Sequence, residues 1–206
     1  MTARLGLLIS GGGTTMVNIH QHIVDGRLDA EIACVISSKR KAVGVERARD
    51  FGYPVMAVSR RRFDSDQAFS DEINAHLQRY QIDLVCLAGF LKRYLPGPSF
   101  TNRTLNIHPS LIPAFCGQGY YGMKVHEAVW RRGCLISGCT VHLVDDQYDE
   151  GPILVQKTVS LSSQDTPETI RAKVAEQENL AYPEAIRLMI EGRVQLNDGR
   201  VEIQRG

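Results

Sequence analysis

A surplus of either charge is missing from this sequence: 24 Lys and Arg face 23 Asp and Glu, for a formal net charge of +1. General nucleic-acid binding needs surplus Lys and Arg clustered against phosphates, so that class is excluded. Also missing is any apolar run near the ~20 residues of a membrane span. The opening Met1-Thr2-Ala3-Arg4-Leu5-Gly6-Leu7-Leu8-Ile9-Ser10 carries an apolar stretch shorter than the roughly 7 to 15 residues of a secretory leader core. Neither export nor a membrane partner is expected. The five cysteines, at 34, 86, 116, 134 and 139, are odd in number and lack CxxC spacing, and three sit in apolar runs as small hydrophobes. A disulfide framework is thereby excluded, and a reducing cytoplasm is the expected compartment. No metal site is expected either: among Cys116, Cys134, Cys139, His126 and His142, the pair Cys139 and His142 lie three apart, on opposite faces of a strand.

What is present is alternation. The 206 residues suffice for a core without staples, and short β-rich apolar runs alternate with helical patterns, which predicts βα units around a parallel sheet. Strands are expected at 4–10, 31–37, 54–58, 83–88, 104–107, 138–145 and 153–160, and helices at 15–25, 43–51, 65–80, 124–132 and 167–190. Thr166-Pro167-Glu168 opens the last helix as an N-cap with Pro at its first position, and Pro183 should kink or split it near Tyr182. After Gly192, two alternating runs flank Asn197-Asp198-Gly199, a hairpin signal. The expected fold is α/β: a Rossmann-like, open, mostly parallel sheet with helices on both faces and a C-terminal β-hairpin. No linker or repeat interrupts it, so one domain is expected.

Three segments carry chemistry. The first strand runs into Ser10-Gly11-Gly12-Gly13-Thr14-Thr15 and then a helix; such a loop lets backbone N–H groups converge on an anion at a helix N-terminus. Met16 stands where a dinucleotide fingerprint has its third Gly, and Ser38-Lys39-Arg40 stands where an acid would hold the ribose. NAD is disfavoured, while a phosphorylated small molecule or NADP remains open. Ser59-Arg60-Arg61-Arg62 reads as a solvated loop or an anion contact. In Leu105-Asn106-Ile107-His108-Pro109-Ser110, Asn106 and His108 share a strand face, and Pro109 ends the ladder at the carboxyl edge, where open α/β sheets bind ligands. A proton shuttle beside an amide donor suits acyl transfer. The third segment places Thr140 and His142 on a strand that runs into Asp145, Asp146, Asp149 and Glu150, four candidate partners for His108. The Gly117–Gly122 loop, with three glycines and two tyrosines, is read as a lid or as a rigid surface loop.

Asn106-Ile107-His108-Pro109-Ser110-Leu111-Ile112-Pro113, His142 and the Asp149-Glu150-Gly151 turn resemble the folate-dependent formyltransferases. The likeness extends to the glycine loop, Val35-Ile36-Ser37-Ser38-Lys39, Gly44–Ala48, Leu87-Ala88-Gly89-Phe90 and Glu176-Gln177-Glu178 before Tyr182-Pro183. Short length, the glycine loop and the Gln-Glu segment resemble the members that formylate 5-phosphoribosylglycinamide. The resemblance implies 10-formyltetrahydrofolate as co-substrate, Asn106 polarising the formyl oxygen, His108 as general acid and base, and Asp149 raising the His108 pKa. It also implies substrate phosphate on Gly12, Gly13, Thr14 and Thr15, ribose on Glu178, and folate along Leu91, Lys92, Arg93, Tyr94, Asn106, Val144 and Asp146. Thr140 and His142 would line the site. By the same resemblance the N-terminal part, about 1–100, binds phosphate and the remainder binds folate and reacts.

This chain also differs from many members. Asp66 stands where they carry an Arg after Phe-Asp-Ser, which leaves Arg60, Arg61 or Arg62 for the folate glutamate. Leu91-Lys92-Arg93-Tyr94 replaces an apolar-Arg-Ile-Leu run, and Phe115–Lys124 is longer. Hydrolysis of the formyl folate, formylation of a nucleotide-linked amino sugar, and an NADP-binding or phosphate-sensing module without chemistry remain the alternatives. Either a monomer or a homodimer is compatible with the sequence.

Overall fold

The computed structural model describes residues 2–204. Its strands and helices follow in the order β1 (Ala3–Ile9), α1 (Thr14–Val24), β2 (Ala30–Ser37), α2 (Val43–Asp50), β3 (Val55–Ala57), α3 (Asp66–Arg79), β4 (Leu84–Leu87), α4 (Gly97–Phe100), β5 (Thr104–His108), α5 (Met123–Arg132), β6 (Ile136–Leu143), β7 (Ile153–Ser160), α6 (Pro167–Ile190), β8 (Val194–Asn197) and β9 (Arg200–Ile203). Arg60–Arg62 form a single 3₁₀ turn between β3 and α3. β1 to β7 make a seven-stranded, mostly parallel sheet, and β8 and β9 a separate antiparallel pair. The chain divides into two compact units. One runs to Leu105 and takes in Val144–Asp146; the other comprises Asn106–Leu143 and the chain from Gln147.

The first unit orders its strands β3-β2-β1-β4, all parallel. β1 is apolar because both of its faces are covered, and its last five residues are all buried. Gly6 lets α3 pack closely there, since a Cβ at that position would come 2.5 Å from Leu77 Cδ2 and push that side chain aside. Ser65 caps α3 by accepting from the Ala68 N–H at 3.0 Å. Phe69 stacks on Phe90 at 6.1 Å in the core beside Leu8, Ile73 and Phe100.

In the second unit β6 and β7 pair antiparallel, with a register shift between Val141 and His142. Gly133, at φ 71°, ends α5 in a left-handed cap. α6 starts in a capping box, Thr166 accepting from Thr169 N–H while Thr169 Oγ1 accepts from Thr166 N–H. Of the kink or split expected at Pro183, the split does not occur: α6 is one helix through Ile190. An interior proline costs roughly 3 kcal/mol. Here the flanking residues Ala181, Tyr182, Ala185 and Ile186 are wholly buried, and burying one large side chain contributes about 1.5–3 kcal/mol. Packing of α6 on β6, β7 and α5 therefore outweighs the missing N–H. The hairpin forms as expected, with Asp198 (φ 49°) and Gly199 (φ 76°) as two left-handed turn residues between Asn197 and Arg200.

Candidate active site

In the second unit β5 ends at His108 because Pro109 has no N–H to continue the ladder. Asn106 and His108, two apart on the strand, both meet Asp149. Asn106 Nδ2 donates to Asp149 Oδ1 at 3.3 Å and to His142 Nε2 at 3.0 Å. His108 Nδ1 lies 3.4 Å from Asp149 Oδ2, and His142 Nε2 lies 3.5 Å from Oδ1. Of the four acids, Asp149 is thus the one that joins both histidines. Its backbone is left-handed at φ 59°, a conformation Asp tolerates better than most residues.

Hydrogen-bond partners set the proton positions. His142 Nδ1 sits 2.7 Å from its neighbour Leu143's carbonyl, which only accepts, so Nδ1 carries the proton and Nε2 accepts from Asn106. His108 Nε2 lies 2.9 Å from the Phe115 carbonyl and donates to it, which leaves the Nδ1 lone pair of the neutral ring on the Asp149 side. Both amide hydrogens of Asn106 are engaged, the longer bond being the one to Asp149.

Sequence reasoning missed two backbone groups that hold this arrangement: the Phe115 carbonyl on His108, and the Gly117 N–H, which donates to Asp149 Oδ2 at 2.9 Å. Phe115 holds a φ of 52°, which is unfavourable for a bulky residue, whereas Gly117 adopts its φ of 85° without penalty, so the local strain beside the reacting groups sits on Phe115. The glycines at 117 and 119 were the only signal. Thr140 is fully buried, and its hydroxyl is saturated: it donates to Ser110 O at 2.7 Å and accepts from Ile112 N and Gln156 Nε2. It holds the turn after β5 through these bonds.

Electrostatics add a cause that the sequence reading did not weigh. Burial pushes the His108 pKa down; the Asp149 charge and the Phe115 carbonyl push it up, His142 pushes it down, and the net shift is downward. Asp149 acts with the expected sign, but burial outweighs it, which favours the neutral imidazole. For Asp149, burial raises the pKa, yet the neighbouring His142 and His108 rings and the Gly117 N–H outweigh it and hold the carboxyl below its ordinary value. Glu178, half-buried on α6, is raised by burial to about 7, against the opposing Arg171 charge.

In the first unit the glycine loop joins β1 to α1. Gly11 and Gly12 are exposed, with open space where a Cβ would be, whereas Gly13 is buried at φ 70° and its Cβ would meet Gly44 Cα at 2.9 Å. The N-cap of α1 has no side-chain partner, so the first-turn N–H groups of Thr14 and Thr15 face outward with the helix dipole behind them. Arg47 Nη1 donates to the Gly12 carbonyl at 2.9 Å and adds positive charge at the loop. Of the residues expected to hold folate, Leu91 and Lys92 are exposed, and Arg93 Nη2 donates to the Asp146 carbonyl at 2.6 Å. Val144 N–H donates to Thr104 O at 2.9 Å. Tyr94 is buried in the core, its hydroxyl donating to Asn74 Oδ1 at 2.5 Å, so only its backbone is free to meet a ligand.

A sequence profile described as "Formyl transferase" matches residues 3–186. The chain is 37% identical over 204 residues to the chloroplastic phosphoribosylglycinamide formyltransferase of Arabidopsis thaliana, covering 97% of this chain and 70% of that protein. It is 36% identical to the phosphoribosylglycinamide formyltransferase of Haemophilus influenzae, covering 95% of this chain and 91% of that one. Among solved structures, glycinamide ribonucleotide transformylase 1 from Symbiobacterium toebii superposes with a TM-score of 0.91 at 40% identity, covering 99% of this chain and 95% of that chain.

Proposed function

Because the chain belongs to the formyl transferase family, we propose that it transfers the formyl group of 10-formyltetrahydrofolate to the amine of 5-phosphoribosylglycinamide, a step of de novo purine (IMP) synthesis. The observation that carries this reading is the convergence of Asn106, His108 and Asp149, with an amide donor and an imidazole each within 3.4 Å of one carboxylate. Attack of the amine on the formyl carbon turns its carbonyl oxygen into an oxyanion and makes the attacking nitrogen positive. Asn106 donates an N–H to the oxyanion, giving up its longer bond to Asp149. Neutral His108 takes the amine proton at Nδ1, and Asp149 Oδ2 steadies the imidazolium so formed. Collapse breaks the bond from the formyl carbon to the folate nitrogen, and His108 returns its proton to that nitrogen. His142 keeps Asn106 oriented.

In this reading Gly12, Gly13, Thr14 and Thr15 bind the acceptor phosphate, Glu178 its ribose hydroxyls, and Leu91–Tyr94 with Val144 and Asp146 the folate. Gly13 serves mainly to place the loop, and Gly12 admits the phosphate. The whole chain acts as one catalytic domain working in the cytoplasm without a metal, as a monomer or homodimer. No described helix is long and apolar enough to cross a membrane. The test is incubation with 10-formyltetrahydrofolate, following tetrahydrofolate release with and without 5-phosphoribosylglycinamide. Release that requires the acceptor is expected; release without it would favour hydrolysis, and none in either arm would defeat the proposal.

A further inference from the structure

Six cations, Lys39, Arg40, Lys41, Arg60, Arg61 and Arg62, stand in two runs, while the other 200 residues sum to a formal charge of −5. The first run follows β2 and the second follows β3, and these strands are parallel neighbours whose last paired residues are Ser37 and Ala57. Both runs therefore emerge side by side at the carboxyl edge of the first unit. Five of the six are exposed; Arg60 is half-buried, held by Asp66 Oδ1 at 2.5 Å and by the Phe63 carbonyl at 2.7 Å. No ion pair neutralises the other five among the described residues.

The next strand along the same edge is β1, which ends in the glycine loop. The Lys39–Lys41 turn runs directly into that loop: Gly44 N–H donates to the Gly11 carbonyl at 3.0 Å, and Gly44 Cα supports Gly13. Arg47, one helical turn further, sits on the Gly12 carbonyl. A like-charged cluster on a nearly neutral chain repels itself, and its field is focused toward the adjoining anion loop.

We propose that Lys39, Arg40, Lys41, Arg61 and Arg62 form a capture surface for small polyanions, which concentrates the dianionic phosphate of the acceptor and delivers it to the glycine loop. This rests on the reading above that the acceptor is phosphorylated. The polycarboxylate tail of the co-substrate is the other available source of the same chemistry, and the experiment separates the two.

The variant carrying Lys39→Gln, Arg40→Gln, Lys41→Gln, Arg61→Gln and Arg62→Gln loses five positive charges, taking the net charge from +1 to −4. Steering by such surfaces changes association by about 10- to 10³-fold. At low ionic strength and saturating co-substrate, kcat/KM for the acceptor should fall about tenfold, and in a second arm with the co-substrate varied kcat/KM should fall less. At ~0.5 M salt, where screening acts over only a few ångströms, wild type and variant should agree within about twofold. The charge-keeping variant Arg40→Lys, Arg61→Lys and Arg62→Lys should stay near wild type. Inorganic pyrophosphate, titrated by calorimetry, supplies a readout that needs no turnover, and the five-fold variant should bind it more weakly with a flatter salt dependence. Equal kcat/KM and an equal salt slope in wild type and variant would overturn the capture surface while leaving formyl transfer standing. A loss confined to the folate arm would overturn delivery to the glycine loop. Weaker pyrophosphate binding in a protein with no transferase activity would support the surface and sink the reading of the reaction instead.

Discussion

Replacing Asp149 by Asn keeps the shape of the side chain and removes its charge. Its two oxygens currently serve separate donors, Oδ2 the Gly117 N–H at 2.9 Å and Oδ1 the Asn106 amide at 3.3 Å. A carboxamide has one oxygen, so either orientation sets an NH2 against one of those donors. A hydrogen bond to a charged group contributes about 1.5–3 kcal/mol, so the variant should lose that order of stability, at roughly 2–4 °C of Tm per kcal/mol. The catalytic loss should be larger than any loss of binding. His108 would retain its position on the Phe115 carbonyl but lose the carboxylate that stabilises its protonated form, and an acid–base group so impaired typically loses about 10²- to 10⁴-fold in rate. The sign of the pH effect is fixed by the competing causes. Burial already depresses the His108 pKa, and the Asp149 charge is the larger of the two effects that oppose it; with that charge gone only the Phe115 carbonyl opposes burial, and the pKa falls further. The acid limb of the kcat profile, which reports loss of the neutral base, should move to lower pH. Steady-state kinetics from pH 5 to 9, with circular dichroism to confirm folding, supply the assay. Turnover at the wild-type rate with an unmoved acid limb would refute Asp149 as the partner and leave Asp145 or Asp146 to be tested.

The His108→Ala, Asp149→Ala double variant should be little slower than the poorer single variant, because groups acting as a unit are non-additive; additive losses in kcat would contradict the coupling. Gly12→Ala, whose Cβ meets no protein atom, should raise KM for the acceptor roughly tenfold, a loss of about 1.4 kcal/mol, with Tm unchanged. Gly13→Ala, strained at φ 70° and crowded by Gly44, should instead lower Tm; equal behaviour of the two in thermal melts and kinetics would show that the loop does not bind phosphate through Gly12. His126 is buried, its Nδ1 has no hydrogen-bond partner among the described residues, and its pKa is lowered by burial, with Arg171 and His108 adding to the effect, to about 4 from an unfolded value of 6.5. Because its folded pKa is depressed, its neutral form stabilises the fold above pH 6.5, and that contribution, about 3 kcal/mol, is lost as pH falls toward 4. Urea unfolding of His126→Leu should lose this slope, and an unchanged slope would count against the assignment.

Much of the architecture was legible because apolar runs with glycine boundaries leave little freedom: β1, β2, β6 and β7 each form close to their expected residues. The pairing of Asn106 with His108 followed from period-two geometry, and the end of β5 from Pro109. Choosing Asp149 among four nearby acids depended on the family resemblance, since the left-handed turn at Asp149 that aims its carboxylate has no local signature. The Phe115 carbonyl and Gly117 N–H were illegible because any residue carries those groups, and only the folded path of the chain brings them to His108 and Asp149. The survival of α6 as one helix across Pro183 was hidden for a related reason: the cost of the proline is local, while the burial that offsets it is spread along α6. Tyr94 was expected beside the folate, and its burial against Asn74 is a tertiary fact that no local pattern announces.

The most direct test of the account follows the formyl carbon itself. With 10-formyltetrahydrofolate labelled with ¹³C in the formyl group and equimolar 5-phosphoribosylglycinamide, carbon NMR should show the label arriving on the acceptor amine as tetrahydrofolate appears. In Asn106→Ala and His108→Ala proteins that remain folded, that signal should grow at least about a hundredfold more slowly. Label appearing as free formate, or transfer at the wild-type rate in both variants, would contradict the claim that these residues move the formyl group to that amine.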